Sequence, residues 1–378
     1  MRRVIISGGG TGGHIYPALT IARAIAAMEE TEFLYVGSRR GLENTLIPKE
    51  NIPFVTLDVR GLERKISVRN LLTLGKTVAG LVAAKKIIRK FNPHVVIGTG
   101  GFVCGPVLLA ACLSGIPTLI QEQNVIPGVT NTILSHFVSR IALGYEAAAT
   151  RFHTKSKLVY TGNPVRREVL TVTKEEGRRI LGLDARRFTL VAAGGSRGAR
   201  SINTAMIMVH EYFKNMDDIQ IIHVTGEDEY ARVAAALPGI DADGRYGRGS
   251  RIVPYLYTMP AALAAADLAV YRAGAVGLAE LTVRGVPAIL IPYPYAAEDH
   301  QRYNAQNLVM HGAAKMILDK MLNGKELLEE IVRLKEDKAA LAAMAAAGRA
   351  LGKPQAAHDI AQLALTLAYG GKQYGECN

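Results

Sequence analysis

Polar and titratable side chains follow short apolar runs at several points along the chain. His14 comes after the apolar run of residues 4–7 and the glycine-rich run of residues 8–13. Glu122 and Asn124 come directly after another apolar run. Polar side chains concentrated at the carboxyl end of a buried strand are typical of a ligand site rather than of a core. His14 is either a catalytic group or a residue at the N-terminus of a helix, and its type alone leaves both possibilities open.

The first glycine-rich segment matches the pattern GxGxxG through Gly8, Gly10 and Gly13. Glycine lets the backbone approach a ligand closely, and a helix N-terminus behind it favours an anion. A dinucleotide site also needs an acidic residue about 20 residues further on. Residues 37–40 (Gly-Ser-Arg-Arg) stand there instead, and their arginines would suit a 2′-phosphate. An NADP-dependent reductase is therefore the alternative enzyme class.

Two further glycine-rich segments follow apolar runs. Residues 194–199 place Ser196 and several backbone N–H groups in front of a helix, which is suited to binding a diphosphate. Residues 98–102 (Gly-Thr-Gly-Gly-Phe) also follow an apolar run. One such loop is weak evidence, but three of them at strand ends favour a role in ligand binding over packing alone.

The second half of the chain supplies partners for sugar hydroxyls. Glu280 lies on a predicted helix after residues 268–271, and its carboxylate could accept both hydroxyls of a ribose. A lone glutamate on a helix is more often an exposed surface residue. Gln301 lies in the segment 299–305, which is rich in Asp, Gln and Asn. These residues could bind a sugar, and a helix capped by Asp299 explains them equally well.

Apolar runs alternate with helical patterns along most of the chain, and this arrangement occurs twice. The predicted strands are residues 4–7, 33–36, 54–57, 95–98, 118–121 and 141–143 in the first half, and 189–193, 219–224, 252–253, 268–271 and 288–291 in the second. Such alternation predicts parallel sheets with helices on both faces. The predicted fold class is α/β, with two parallel-sheet lobes facing a central cleft.

The boundary between the two halves is predicted near residues 161–164. An N-terminal domain then covers residues 1–163, and a C-terminal domain covers residues 164–354. The last 40 or so residues are rich in Ala, Leu and charged residues, which predicts helices. A helix at about residues 355–370 is expected to pack back against the first domain.

The net charge of +12 belongs almost entirely to the first half. Residues 1–163 contain 19 Lys and Arg against 9 Asp and Glu, whereas residues 164–378 contain 26 against 24. This asymmetry indicates an anionic partner, either nucleic acid or anionic lipid. Residues 60–90 combine nine basic residues with an apolar stripe at helical spacing, which suits an anionic membrane surface. A helix that packs within its lobe and has solvated charges would show the same periodicity.

The three cysteines lack CxxC spacing, which argues against a disulfide framework or a zinc site and indicates a reducing cytoplasm. The N-terminus carries no apolar stretch long enough for a signal peptide. Residues 102–120 are uncharged but interrupted by Gly and Pro, so they predict a buried loop–helix–strand unit rather than a membrane span. Asp241 and Asp243 form a DxD pattern in an apparent turn, and we expect neither a metal nor a cofactor.

Five motifs occur in a fixed order along the chain. They are residues 9–14 (Gly-Gly-Thr-Gly-Gly-His), 122–124 (Glu-Gln-Asn), 161–166 (Thr-Gly-Asn-Pro-Val-Arg), 194–199 (Gly-Gly-Ser-Arg-Gly-Ala) and 299–301 (Asp-His-Gln) with Asn304 and Ala305. This set resembles the peptidoglycan N-acetylglucosaminyltransferases, which convert lipid I to lipid II, over nearly the whole chain. The resemblance implies a GT-B fold of two Rossmann-like lobes and UDP-N-acetylglucosamine (UDP-GlcNAc) as donor.

The same resemblance implies that the acceptor is undecaprenyl-diphosphoryl-N-acetylmuramoyl-pentapeptide. The protein would act as a peripheral enzyme on the cytoplasmic side of the cell membrane and bind no nucleic acid. Its N-terminal lobe would contact the anionic membrane surface. Leu256 stands where the family makes a backbone contact with uracil. The implied substrate-binding residues are Thr11, Gly12, Gly13, Asn124, Arg166, Ser196, Leu256, Ala275, Val276, Gly277, Leu278, Ala279, Glu280 and Gln301.

Two positions depart from the family pattern. Gln121 stands where a histidine often precedes Glu-Gln-Asn, so no histidine acts there. Arg197 stands where the second glycine loop often has glutamine, which changes the charge beside the expected diphosphate.

The leading hypothesis is a metal-independent, inverting transfer of N-acetylglucosamine (GlcNAc). Such a transfer needs a base near the attacking hydroxyl, and a neutral imidazole is suited to that task near pH 7. We expect His14 to be this base. Glu122 is its rival, and could instead orient the acceptor. The alternatives are the NADP-dependent reductase and a basic nucleic-acid-binding protein.

Overall fold

The computed structural model describes residues 1–59, 68–195 and 198–370, except for the side chains of residues 68–77. The chain forms two compact units. Unit 1 comprises Met1–Val165 and Pro354–Asn378, and unit 2 comprises Arg166–Lys353. The chain therefore passes from unit 1 to unit 2 after Val165 and returns to unit 1 with its C-terminal segment.

Unit 1 alternates strands and helices from its first residues. Its strands are β1 (Arg2–Ser7), β2 (Thr31–Ser38), β3 (Phe54–Leu57), β4 (Val95–Gly98), β5 (Thr118–Glu122), β6 (Arg140–Leu143) and β7 (Leu158–Tyr160). Its first helices are α1 (Gly12–Met28), α2 (Glu43–Leu46), α3 (Val68–Phe91), α4 (Cys104–Leu113) and α5 (Val129–Leu134). Short 3-10 turns lie at Ile47–Glu50, Glu146–Arg151 and Lys155–Lys157.

The described strands of unit 1 form a seven-stranded parallel sheet in the order β3-β2-β1-β4-β5-β6-β7. Ile5 faces the core on one side of the sheet, and Val4 and Ile6 face the core on the other. Burial on both faces explains why β1 is a continuous apolar run rather than an alternating one. The chain order reverses between β1 and β4, so the loops after these two strands flank the point where parallel sheets usually bind ligands.

Unit 2 repeats this arrangement. Its strands are β8 (Phe188–Ala193), β9 (Ile219–Val224), β10 (Arg245–Tyr246), β11 (Ser250–Val253), β12 (Leu268–Tyr271), β13 (Ala288–Leu290) and β14 (Ala314–Met316). Its helices are α6 (Arg167–Thr171), α7 (Lys174–Leu181), α8 (Arg200–Phe213), α9 (Glu227–Ala236), α10 (Met259–Ala265), α11 (Ala275–Arg284), α12 (His300–Met310), α13 (Gly324–Glu336) and α14 (Lys338–Leu351), with a 3-10 turn at Ala297–Asp299.

The described strands of unit 2 have the order β10-β11-β9-β8-β12-β13-β14, and β10 pairs antiparallel with β11. The reversal of chain order falls between β8 and β12. The loops that follow these strands are the second glycine-rich segment and the segment leading into α11. In both units, therefore, predicted site segments flank the reversal point of the sheet.

The last helix, α15 (Ala356–Ala368), belongs to unit 1. It packs against α1 and buries Ile360, Ala364 and Leu365 in the same core as Val4 and Ile6. Small and branched apolar residues at helical spacing allow this close approach. The C-terminal segment therefore completes one face of the unit 1 sheet.

The predicted strands are all present, and their ends differ from the prediction by two residues at most. Three strands were not predicted: β7, β10 and β14. Each lies at the edge of its sheet and exposes a polar or aromatic side chain, namely Tyr160, Arg245 and Lys315. Short edge strands bury too little apolar surface to leave a clear run in the sequence.

Candidate functional site

The glycine loop after β1 is anchored to the loop after β4. The N–H of Gly9 donates to the carbonyl of Gly100 over 3.3 Å, and Gly10 takes a φ of +86°, which favours glycine. The hydroxyl of Thr99 donates to the carbonyl of His14 over 2.8 Å. The segment 98–102 thus supports the first glycine loop.

His14 occupies the first turn of α1, where its ring lies 3.0 Å from the carbonyl of Gly9 through Nδ1. A carbonyl only accepts hydrogen bonds, so Nδ1 carries the proton and the neutral ring has its lone pair on Nε2. The ring packs against Gly100, where a Cβ would lie 2.7 Å from Cδ2 of His14. Glycine at position 100 therefore makes room for the imidazole, and Nε2 is the atom that can take up a proton.

Glu122 ends β5 and is fully buried. Its Oε1 accepts from the N–H of Asn124 over 2.9 Å, and its Oε2 accepts from the N–H of Gly128 over 3.1 Å and from Nδ2 of Asn131 over 2.8 Å. Burial raises the pKa of Glu122, and these donors partly offset that rise. The carboxylate holds the loop that carries Asn124, so its geometry favours the orienting role over that of a base.

Buried amides join this loop to the end of unit 1. Gln121 donates to Oδ1 of Asn163 over 2.9 Å, and Asn163 donates to the carbonyl of Gln123 over 2.9 Å. Gln123 also donates to the carbonyl of Thr99 over 2.6 Å. The side chain at position 121, where the family pattern often has histidine, therefore lies inside unit 1. Thr99 connects this amide network to His14.

Arg166 and Glu280 form an ion pair within unit 2. Nε of Arg166 lies 2.8 Å from Oε1 of Glu280. Only 6% of the Glu280 side chain is exposed, so the surface-residue interpretation of this glutamate is wrong. Burial raises the pKa of Glu280, and the Arg166 charge opposes that rise. The structure thus brings together two of the predicted substrate-binding residues, a cation and the carboxylate expected to accept the ribose hydroxyls.

The segment Ala275, Val276 and Gly277 begins α11 directly after β12. Gly274 precedes the helix and offers no side-chain cap. The N–H groups of a first helical turn have no acceptor within their own helix and carry partial positive charge. Glu280 lies one turn further along the same helix. This helix start can therefore bind an anionic group close to the Arg166–Glu280 pair.

Gln301 lies in the first turn of α12, and its side-chain carbonyl accepts from the N–H of Tyr293 over 3.0 Å. This bond orients the amide so that its NH₂ group points away from Tyr293. Asp299 occupies the N-cap position of α12, as predicted, but its side chain makes no cap hydrogen bond. Glu298 and Asp299 both have positive φ, 53° and 54°. Such strain in residues other than glycine is typical of ligand-binding loops.

A polar cluster that the sequence did not predict supports the same edge of unit 2. Arg272 pairs with Asp319 over 2.5 Å, donates to Ser201 over 2.9 Å and donates to the carbonyl of Ile291 over 3.1 Å. Asp319 also accepts from Ser201 over 2.6 Å. These bonds fix the start of α8 relative to the ends of β12 and β13. Arg272 directly follows an apolar strand, and this position was the feature of the sequence that could have identified it as a site residue.

The remaining predicted residues lie at the same ends of the two sheets. Thr11, Gly12 and Gly13 open α1, and Leu256 is half-buried in the loop after β11. Ser196 and Arg197 lie outside the described residues. Next to them, a Cβ at Gly198 would collide with the carbonyl of Thr225, so this loop needs glycine there.

The DxD pattern forms the predicted turn. Asp241 accepts from the N–H of Asp243 over 3.0 Å and from the N–H of Arg245 over 2.7 Å. Across residues 1–59, 68–195 and 198–370, no group of three His, Cys, Asp or Glu side chains could hold a metal ion. The uncharged stretch 102–120 folds into α4 and β5, as predicted. No described helix is long and apolar enough to cross a bilayer.

Helix α3 contains most of the predicted membrane segment, and its described side chains form one buried face and one exposed face. Ala84 and Ile88 are buried in the core of unit 1, whereas Val78 and Val82 are exposed. The basic side chains of its last turns are also exposed, namely Lys85, Lys86, Arg89 and Lys90. Residues 60–67 and the side chains of residues 68–77 lie outside the described part of the chain. The described half of the segment thus carries apolar and basic surface together.

Two Rossmann-like units in one chain, with candidate nucleotide loops at both reversal points, form a GT-B fold. Residues 4–143 match the glycosyltransferase family 28 N-terminal domain, and residues 189–362 match the glycosyltransferase family 28 C-terminal domain. The chain belongs to glycosyltransferase family 28.

Relatives match this chain over nearly its whole length. A protein of Desulforudis audaxviator (strain MP104C), named UDP-N-acetylglucosamine--N-acetylmuramyl-(pentapeptide) pyrophosphoryl-undecaprenol N-acetylglucosamine transferase, is 45% identical over 98% of this chain and 99% of its own length. The protein of the same name from Desulforamulus reducens is 47% identical over 95% and 96%. The crystal structure of MurG from Acinetobacter baumannii aligns with a TM-score of 0.77 at 26% identity, covering 97% of this chain and all of that one.

These matches give no support to a reductase or to a nucleic-acid-binding protein. The first glycine loop resembles a dinucleotide loop but lacks the acidic residue expected about 20 residues further on. The structure places a different acidic residue beside this loop. Glu43, which the sequence did not single out, lies beneath the loop and accepts from the N–H of Gly10 over 3.1 Å. This carboxylate binds the backbone of the loop itself.

Proposed function

We propose that the chain transfers GlcNAc from UDP-GlcNAc to the 4-hydroxyl of the muramoyl sugar in undecaprenyl-diphosphoryl-N-acetylmuramoyl-pentapeptide, which converts lipid I to lipid II. The observation that carries this proposal is the relation, at 45% and 47% identity over nearly full length, to two proteins named for that transfer. The partners are therefore a nucleotide sugar and a lipid-linked acceptor.

Unit 2 binds most of the donor in this proposal. Glu280 accepts hydroxyls of the ribose, and Gln301 donates to the GlcNAc hydroxyls through the NH₂ group that its bond to Tyr293 leaves pointing outward. Arg166, Ser196 and the start of α11 stabilise the charge that grows on the diphosphate as UDP leaves. The backbone of Leu256 contacts the uracil, and Thr11, Gly12, Gly13 and Asn124 complete the contacts from unit 1.

His14 acts as the base. Its Nε2 takes the proton of the acceptor's 4-hydroxyl while that oxygen bonds to the anomeric carbon. The bond from this carbon to the UDP oxygen breaks, and UDP keeps the electron pair. Attack from the face opposite the leaving group inverts the anomeric centre. The donor bond of Nδ1 to Gly9 supports this assignment because it leaves the lone pair on Nε2.

Glu122 has an orienting role in the same proposal. Both of its oxygens accept from groups of its own loop, so an incoming hydroxyl would have to displace one of these donors. Its contacts place Asn124, which is one of the predicted donor-binding residues. Loss of Glu122 therefore disturbs binding through the loop rather than removing a proton acceptor.

Unit 1 also provides the membrane contact. We assign it to the exposed face of α3, where Val78 and Val82 accompany four basic residues. An anionic surface attracts such a helix, and its apolar side chains enter the interface. The protein is then peripheral on the cytoplasmic face, where its lipid-linked acceptor lies.

Release of UDP from UDP-GlcNAc tests the proposed reaction. The expected result is release that requires the lipid-linked muramoyl acceptor and yields a GlcNAc–muramoyl disaccharide on the lipid. A parallel calorimetric titration with UDP and with NADPH should show saturable binding of UDP alone. Binding of NADPH without binding of UDP would contradict the proposal.

A further inference from the structure

One peptide group in the first glycine loop is hydrogen-bonded at both of its ends. The carbonyl of Gly9 accepts from Nδ1 of His14 over 3.0 Å. The N–H of Gly10, which belongs to the same peptide group, donates to Oε2 of Glu43 over 3.1 Å. Glu43 and His14 therefore share a single planar amide, although they lie 29 positions apart in the sequence.

Glu43 is fully buried and is surrounded by donors. Besides Gly10, the N–H of Ser38 donates to its Oε1 over 3.0 Å, and the Ser38 hydroxyl donates to the same atom over 2.5 Å. Two backbone N–H groups divided between two carboxyl oxygens make the acceptor-only pattern of an ionised carboxylate. Side chains at Gly9, Gly37 or Gly41 would collide with it. Three glycines thus make a fitted space for one carboxylate.

We propose that Glu43 is a positioning residue that fixes the tautomer of His14 and raises its basicity through the Gly9–Gly10 peptide group. The proposal rests on the assignment of His14 as the base. A carboxylate that accepts from an amide N–H draws electron density toward the amide oxygen, which strengthens the bond that this oxygen accepts. The imidazolium formed during proton transfer binds that oxygen more strongly than the neutral ring does.

Tyr35 and Cys104, two other titratable groups packed around the loop, stay neutral near pH 7. Burial raises the pKa of Tyr35, whose hydroxyl donates to the carbonyl of Gly8 over 2.8 Å. Burial raises the pKa of Cys104 on α4 to about 11. Tyr16 on α1 lies against Gly12. The N-terminal end of α1 disfavours a positive charge on His14, so Glu43 is the described group near the loop that offsets this effect.

The test compares wild-type protein with Glu43→Gln and Ser38→Ala. Glutamine keeps the size of the side chain and removes its charge, whereas Ser38→Ala removes one donor to Glu43 and keeps the charge. The pKa of the His14 ring is measured by NMR on protein with labelled histidine, with His14→Gln to assign the signal. The dependence of kcat on pH is measured on the same three proteins.

In Glu43→Gln we expect the pKa of His14 to fall by about half a unit or more. We expect the acid limb of kcat to move by the same amount and kcat at its plateau to fall by about 3- to 10-fold. The KM for UDP-GlcNAc should stay within about 2-fold. Ser38→Ala should lower the melting temperature yet leave the pKa of His14 in place. An unchanged pKa of His14 in folded Glu43→Gln would overturn the proposal.

Two further results distinguish a failure of this proposal from a failure of the assignment of His14 as the base. If the pKa of His14 falls in Glu43→Gln while the pH profile of kcat stays fixed, the link through the peptide is right and the base is another residue. If Glu43→Gln does not fold, the amide proton of Gly10 is followed in wild-type protein. Its chemical shift should change with pH at the same pKa as the His14 ring. A chemical shift that stays constant while the His14 ring titrates would refute the link through the Gly9–Gly10 peptide group.

Discussion

The carboxylates at the site edges of the two units bind different kinds of partner. In unit 1, Glu43 accepts from the backbone N–H groups of Gly10 and Ser38, and Glu122 accepts from those of Asn124 and Gly128. In unit 2, Glu280 and Asp319 bind the guanidinium groups of Arg166 and Arg272. A loop tied through its own backbone keeps its shape when a ligand arrives, whereas an ion pair can shift its partners toward an incoming charge.

This difference matches the two tasks of an inverting transfer. Proton removal needs a base held in one orientation, and unit 1 holds His14 through Gly9 and supports it with Glu43. Departure of UDP moves negative charge onto the diphosphate, and unit 2 offers Arg166 and a helix start for it. Changes at His14 should therefore alter kcat, and changes at Glu280 and Gln301 should alter donor binding.

The largest expected effect is on the base. We expect His14→Ala to lower kcat by at least 10²-fold, because a general base contributes about 10²–10⁴-fold in rate. UDP binding should survive, since the ring is held by backbone of unit 1. Steady-state kinetics and calorimetry on the same protein check both halves of this prediction. Near-normal kcat in His14→Ala, together with a large loss in Glu122→Ala, would move the base to Glu122.

The second expected effect is on binding to anionic vesicles through the basic residues of unit 1. Neutralising Lys85, Lys86, Arg89 and Lys90 should weaken binding to anionic vesicles by about 1 kcal/mol per residue. Co-sedimentation with vesicles at low and high salt measures this loss. Added salt should also weaken vesicle binding by the wild-type protein, because salt screens the charges. The matched control neutralises four exposed basic residues of unit 2, namely Arg186, Arg245, Arg251 and Lys325. Equal losses in the two variants would show that total charge, and not α3, decides membrane binding.

The donor contacts should give the next largest effect. We expect Glu280→Ala and Gln301→Ala each to weaken UDP-GlcNAc binding by about 1–3 kcal/mol, the range for losing a buried hydrogen-bond partner. Their kcat at saturating donor should fall much less. Glu329→Ala, a change at an exposed glutamate of α13, is the control and should leave binding unchanged. Unchanged donor affinity in both site variants would exclude these residues from the donor site.

The last expected effect is on stability rather than on activity, and it arises in unit 2. His210 and His223 are fully buried and hydrogen-bonded to each other over 3.1 Å. Burial lowers the pKa of His210 well below its ordinary value and that of His223 to about 3. As the pH falls below about 6.5, the unfolded chain binds protons that the folded chain does not. Stability should therefore fall by about 1.4 kcal/mol for each ring per pH unit.

Hydrogen exchange between pH 7 and pH 5 measures this prediction for each unit separately. Amides of β8 and β9 should lose protection first. His223→Gln should reduce the pH dependence, whereas His311→Gln, at an exposed position, should leave it unchanged. Equal acid sensitivity in His223→Gln and in wild type would contradict the assignment to the buried pair.

Local patterns predicted the central strands because burial on both faces demands continuous apolar runs. The same logic selected His14, Glu280 and Gln301 as candidates, because each lies in a segment that follows a predicted strand. It missed Glu43, because a single glutamate in a four-residue helix leaves no periodic signal. Its importance comes from three glycines and a peptide group that only the folded chain places around it.

The orientation of side chains also lies beyond the sequence. Gln121 and Asn124 lie three positions apart at the end of β5, yet Gln121 is fully buried among amides and Asn124 is only partly buried. Side chains at a strand end point in different directions, and the pattern cannot say which one faces a ligand. The ion pair between Arg166 and Glu280 could not be predicted either, since the two residues are 114 positions apart in the sequence.

The most direct test of the account is the rate of UDP release from UDP-GlcNAc across pH, with and without the lipid-linked muramoyl acceptor, in wild type and in His14→Ala. We expect release from wild type to need the acceptor and to decline at acid pH as the base becomes protonated. His14→Ala should be slower by at least about 10²-fold and should lack that acid limb. Acceptor-independent release, or an acid limb that persists unchanged in His14→Ala, would contradict the account.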